Sequence, residues 1–133
     1  MLYLLDTNIC IYIAKRKPQR LMERLRKAKS EDAGMSVITY FELMYGAWKS
    51  EYRDMSLSRI EALRRLITVA PLDDSAGSNF GRIRAELERK GTPIGPYDLL
   101  IAAHALTLGV TLVTNNAREF SRIEGLKVEN WAD

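Results

Sequence analysis

Only one cysteine, Cys10, occurs among the 133 residues. One thiol cannot form an internal disulfide, nor can it build a zinc site of the usual thiolate–imidazole kind. A reducing cytoplasm is the compartment this cysteine usage leads us to expect. There is also a single histidine, His104, set in an apolar stretch. It reads as a core residue, or one that bonds a carbonyl, rather than as a metal ligand. No apolar run is long enough to cross a bilayer, and the longest, Leu99 to Leu106, is interrupted by His104. The N-terminus lacks a charged opening followed by an apolar run and a cleavage site. The expectation is therefore an untargeted, soluble protein with no membrane contact. Glycine-rich loops of the Walker or dinucleotide type are missing, which argues against a nucleotide cofactor. Ser36, Ser75 and Ser78 have no His or Asp arranged around them in a recognisable hydrolase motif.

What remains is ordinary globular composition, with 47% hydrophobic and 28% charged residues. The length fits one domain over residues 1–133, and neither a repeat nor a linker divides it. The net charge of +3 is mildly basic, and its distribution is more telling than its size. Lys15, Arg16, Lys17, Arg20, Arg24, Arg26, Lys27 and Lys29 fall in one stretch opposed only by Glu23. Such a run reads equally as a solvated helix face and as a surface that tracks phosphates.

Periodicity predicts alternating strands and helices. Leu2 to Leu5 is a short apolar run read as a buried strand, followed by a helix capped by Thr7 or Asn8. Pro18 is placed at the first position of a second helix. Met35 to Val37 reads as a strand, with Thr39 as cap of a helix through Trp48. Met55–Leu66 and Ser75–Lys90 have amphipathic spacing, with a strand at Ile67–Ala70 between them. Tyr97–Leu108 is almost uncharged and should be deeply buried, with Gly109 as its cap. Strands follow at Val110–Val113 and around Lys127–Val128. This order predicts an α/β fold with a mainly parallel sheet between helical layers, and ligands at the carboxyl ends of its strands.

Asp6 directly follows the first strand, and Thr114, Asn115 and Asn116 follow the fourth in the same way. Glu42 lies in the helix after the second strand, and Asp98 opens the apolar helix. These positions can bring acids from distant parts of the chain to one sheet edge. Crowded carboxylates repel, and a hard divalent cation such as Mg²⁺ or Mn²⁺ removes the conflict. Such an ion can activate water and polarise a phosphoryl oxygen, which is the chemistry of phosphodiester hydrolysis. Each acid also has a plain structural reading. Asp6 can cap a helix, Asp98 can favour a helix dipole, Glu42 can sit on an exposed stripe, and Glu119 can be a surface acid. Their joint placement is what favours a site.

In that order the segments Leu4-Leu5-Asp6-Thr7-Asn8, Thr39-Tyr40-Phe41-Glu42-Leu43, Ile83-Arg84-Ala85-Glu86-Leu87, Gly95-Pro96-Tyr97-Asp98-Leu99-Leu100-Ile101-Ala102-Ala103-His104-Ala105 and Leu112-Val113-Thr114-Asn115-Asn116, closed by Arg118-Glu119-Phe120, resemble the PIN-domain ribonucleases. More closely, they resemble the toxin subunits of VapBC-type toxin–antitoxin pairs. The resemblance runs nearly the full length. It implies a PIN-like three-layer domain and a Mg²⁺-dependent endoribonuclease that cuts a structured RNA such as tRNA and so inhibits translation. It implies that Asp6 and Asp98 hold the metal and that Glu42 ligates it directly or through water. Asn116 stands where relatives often have Asp, so the fourth ligand brings no charge, and Glu119 is the acid that can supply part of it. Thr7, Thr114 and Asn115 are the implied substrate-positioning groups. The implied partners are RNA, a VapB-type antitoxin that inserts a side chain into the acidic pocket, and a second copy in a homodimer. Tyr45, Trp48 and Tyr52 are read either as such an interface or as core. The competing readings are a PIN nuclease of RNA processing or flap-like DNA, and a binding module whose site has decayed at Asn116.

Overall fold

The computed structural model describes residues 1–133. Leu4 and Leu5 are both completely buried, although they point to opposite faces of one strand. That requires a strand covered on both sides. The strand is β1 (Tyr3–Leu5), at the centre of a sheet completed by β2 (Ala33–Ser36), β3 (Thr68–Ala70), β4 (Thr111–Val113) and β5 (Val128–Glu129). Their order is β3-β2-β1-β4-β5, and every pairing is parallel.

Helices cover both faces. Leu5, Met35 and Val113 meet α1 (Thr7–Ala14), α2 (Gln19–Lys27), α3 (Val37–Lys49) and α4 (Arg53–Leu66) in one apolar layer. Leu4 and Leu112 meet α5 (Gly77–Arg89), α6 (Pro96–Leu108) and the short α7 (Ala117–Phe120) in the other. The expected three layers are present, and the sheet is wholly rather than mainly parallel. No helix is long and apolar enough to cross a membrane.

The differences from the sequence reading lie at helix starts, and they shape the site. Asp6 caps α1, as its plain structural reading allowed, in place of Thr7 or Asn8, and its side chain accepts the Ile9 N–H. The second strand ends one residue earlier than expected, so Ser36 rather than Thr39 caps α3. Thr39 therefore moves into the first turn, where it is fully buried. Pro18 sits at the extended N-cap of α2, one place before the position assigned to it. Gly109 ends α6 at φ +70, as its capping role requires. Helix α7 was not anticipated.

Gly34 shows how tightly the sheet is closed. A Cβ there would lie 2.9 Å from the Thr68 carbonyl oxygen of β3 and 2.6 Å from Cε of Met1. The Met1 side chain can move aside, but the paired backbone of β3 cannot. Gly34→Ala should cost about 1–3 kcal/mol, the range for forced overpacking, and urea denaturation measures it.

Candidate active site

Because all strands run parallel, the residues after β1, β2 and β4 emerge at one edge of the sheet. Asp6 is fixed there by its own backbone, since its N–H donates to the Val113 carbonyl at 3.0 Å. Its Oδ1 accepts the Ile9 N–H at 2.9 Å. Only 5% of Asp6 is exposed, and this burial pushes its carboxyl above the ordinary range. The Thr114 side chain and the Ile9 amide pull the value back, while the charge of Glu42 raises it. Thr114 is itself buried, and its Oγ1 accepts the Asn116 N–H at 2.9 Å, so its proton is free for an acceptor such as Asp6.

Asp98 is the third residue of α6, and the helix shows no side-chain capping bond. The helix-start reading of Asp98 therefore reduces to proximity to the dipole. Burial is the first cause that lifts its carboxyl to about 6, and the charges of Glu119, Asp6 and Glu42 follow in that order. Asp98 thus senses all three of the other predicted acids. Glu42, from the second turn of α3, accepts the Thr7 hydroxyl proton at 2.7 Å. Glu119 lies in α7 and accepts a hydrogen bond from Asn116 Nδ2. The Asn116 side chain is thereby tied to the acid that was expected to complement it.

Asp6, Glu42, Asp98 and Glu119 are therefore brought together from four separate segments. Thr7 and Thr114 are beside them, but their hydroxyls are engaged with neighbouring side chains or backbone. Asn115 is tied to α1, since its amide donates to the Tyr12 hydroxyl at 3.0 Å, and its buried Oδ1 has no hydrogen-bond partner. His104 fills a core position, as expected, with Nδ1 2.8 Å from Ser36 Oγ. Sequence reasoning found no His beside Ser36 and gave Thr39 a capping role and a place in the family-like segment, but no part in the site. Thr39 Oγ1 lies 3.1 Å from Thr7 Oγ1, across 32 residues of chain. No spacing rule links two such positions.

As placed, no three of the acids are gathered to ligate one ion together. The oxygen donors still fit a hard cation that binds two carboxylates and keeps several waters. Asp6 and Asp98 are the pair whose carboxyls are pushed up, and an added positive charge would stabilise both as carboxylates.

Two groups of residues singled out by the sequence lie at the surface. Lys15, Arg16, Lys17, Arg20, Arg26, Lys27 and Lys29 are exposed. Arg24 instead lies over the Trp131 ring, 4.4 Å from its centroid, and donates to the Tyr3 hydroxyl. Tyr45, Trp48 and Tyr52 are 67%, 56% and 68% exposed, which rules out the core reading for them.

The PIN domain model matches residues 3–126. The chain is 46% identical to the tRNA(fMet)-specific endonuclease VapC of Salmonella typhimurium, over 97% of both proteins. It superposes on the DNA-bound VapBC structure from Salmonella typhimurium with a TM-score of 0.92 and 45% identity, covering 98% of this chain and 99% of that one. It is equally close, at TM-score 0.92 and 37% identity over 98% and 99%, to the VapBC2 structure from Rickettsia felis bound to a promoter DNA fragment.

Proposed function

The chain belongs to the PIN domain family, and we propose that it is a metal-dependent endoribonuclease acting as the toxin of a type II toxin–antitoxin pair. One observation carries the chemical part of this reading. Four acids from four segments sit close enough that Asp98 is lifted to about 6 by burial and by the other three. Unpaired carboxylates held this way store repulsion that only a proton or a cation relieves.

Mg²⁺ is the proposed ion, with Mn²⁺ as a substitute. Asp6 and Asp98 would hold it, with Glu42 acting directly or through water and Glu119 and Asn116 at the margin. When bound, the ion supplies a polarised phosphoryl oxygen and an activated water. The protein's own groups do the positioning. The backbone of β4 fixes Asp6, the Ile9 amide sets its rotamer, and Thr114 favours its anionic form against the opposing effect of burial. Asp98 must lose its proton to take part, and a cation beside it favours that loss. Exposed cations between Lys15 and Lys29 offer a track for RNA phosphates.

The substrate proposed is a structured RNA such as tRNA, since a relative at 46% identity is a tRNA(fMet)-specific endonuclease. The partner proposed is a VapB-type antitoxin, because the matching structures are VapBC complexes. An Arg presented by such a partner would replace the cation's charge among the carboxylates. The exposed Tyr45, Trp48 and Tyr52 are offered to a second copy of the chain or to the antitoxin.

Incubation of the antitoxin-free protein with total cellular RNA tests the reading. Discrete fragments should appear with Mg²⁺, disappear with EDTA, and be missing with Asp98→Ala. Sequencing of their ends names the RNA and so separates a toxin's single target from the broader products of a processing nuclease. Intact RNA under every metal condition would leave the decayed binding module as the surviving alternative.

A further inference from the structure

We propose that Thr39 is a positioning residue for Glu42, acting through the hydroxyl of Thr7. The inference deepens the nuclease reading and rests on it. Its starting point is the direction of two hydrogen bonds. An ionised Glu42 can only accept, so the contact of Thr7 Oγ1 with Glu42 Oε1 at 2.7 Å takes the single hydroxyl proton of Thr7. Thr7 then has no proton left for Thr39, 3.1 Å away. Thr39 must therefore donate to Thr7. The chain of donors runs one way, from Thr39 to Thr7 to Glu42.

Such a chain is worth more than its parts. Each hydroxyl, polarised by the one behind it, donates more strongly, and low solvent exposure at Thr39 removes competition from water. It also joins three places in the fold. Thr7 opens α1 directly after Asp6, Thr39 lies in the first turn of α3, and Glu42 lies one turn further on. The rotamer of Glu42 is thereby tied to the start of the helix that Asp6 caps. With Oε1 held by Thr7, the other oxygen of Glu42 has no hydrogen-bond partner and is the one available to the site. Thr7, assigned to substrate on sequence grounds, already has its proton engaged with Glu42. Orientation of Glu42 is the role its contacts describe.

Thr39 earns this placement through the shift of the helix start. With Ser36 as cap, the Thr39 side chain is relieved of capping, and a buried hydroxyl must find another acceptor. The acceptor it has is Thr7.

The test uses Thr39→Val, Thr39→Ser and Thr7→Val in the full-length protein. Three readouts are needed: kcat and KM for RNA cleavage, the Mg²⁺ concentration at the midpoint of metal-induced thermal stabilisation, and the metal-free Tm. Thr39→Val keeps the shape and removes the donor. It should lower kcat about 10–100-fold with little change in KM, as for other groups that orient a metal-site ligand, and should raise the Mg²⁺ midpoint. Thr39→Ser restores the donor and should recover most of the rate. Thr7→Val combined with Thr39→Val should be no worse than Thr7→Val alone, since the two act in series. A Thr39→Val protein with wild-type kcat and wild-type Mg²⁺ midpoint overturns the proposal, as does equal impairment by Val and Ser. If Thr39→Val lowers Tm too far to assay, Thr7→Val decides: wild-type kcat there also overturns it. Asp98→Asn run in parallel keeps the two readings apart. Cleavage lost in Asp98→Asn but kept in Thr39→Val sinks the relay and leaves the nuclease standing.

Discussion

Asp98→Asn should slow RNA cleavage by about 10²-fold or more, the size expected when a preorganised charge is removed from a reacting centre, and should leave the protein folded. Asn has the shape of Asp without the charge, and α6 shows no capping bond that the change would break. The metal-free protein should become more tolerant of neutral pH, and the sign follows from linkage. The folded carboxyl titrates at about 6, above its ordinary 3.8, so between these values the native state binds more protons than the unfolded chain. The stability this provides is complete below about 3.8 and is lost as pH climbs through about 6. Asp6 is shifted in the same direction and adds to the loss. Without metal these two carboxyls should accordingly contribute a downward slope to the wild-type Tm between pH 4 and 7, against an upward contribution from His104, whose burial lowers its pKa, and Asp98→Asn should remove the Asp98 part. Mg²⁺ should restore the wild-type Tm mainly above pH 6, where Asp98 is free to bind it, and should do little for the variant. A Tm series over pH with and without Mg²⁺ reads all of this. An Asp98→Asn protein that melts lower than wild type at pH 7 without metal would show that the carboxylate holds structure rather than storing repulsion.

Asp6 offers the second large effect because it has two roles that chemistry can separate. Its Oδ1 caps α1, and its charge belongs to the acid cluster. Asn caps a helix about as well as Asp, so Asp6→Asn should keep the stability of α1 while cleavage falls about 10²-fold or more. Asp6→Ala should lose both, with an added cost of about 1 kcal/mol for the missing cap. Urea denaturation of the two variants beside a cleavage assay distinguishes the roles. Equal destabilisation by Asn and Ala would mean that the charge itself supports the helix, and that the capping and catalytic roles are not separable.

The layers of this fold were legible because their cause is local. Leu4 and Leu5 are apolar on both faces, α6 is almost free of charge, and Gly109 marks its end, each visible in a few consecutive residues. Asp6, Asp98 and Glu42 were legible together because one follows a strand, one opens a helix and one lies in the helix after a strand of the same parallel sheet, whereas Glu119 was singled out by the family resemblance. Less was readable where one residue's role depends on another far along the chain. Ser36 and Thr39 are both acceptable caps, and the choice between them is made by the strand pairing that carries β2 through Ser36 to face Ala70. Helix α7 spans four residues, too few for a periodic pattern. Asn115 looks like a site residue from its place after β4, yet Tyr12, 103 positions away, claims its amide. The exposure of Tyr45, Trp48 and Tyr52 likewise depends on which face of α3 meets the core, a matter the aromatic residues themselves do not decide.

The parallel sheet also makes the acid cluster depend on strands that are far apart in the sequence. One of the two neighbours of β1 is β4, and Leu4 pairs with Leu112. The amide of Asp6 is held by Val113, and Thr114 follows immediately. A nascent chain that ends anywhere before these residues carries Asp6, Glu42 and Asp98 without the strand that organises them. Such distant pairings also form slowly, because a long loop must close before they are rewarded. The acid cluster is thus assembled only once β4 has paired with β1, and its geometry depends on a contact between segments from opposite ends of the chain.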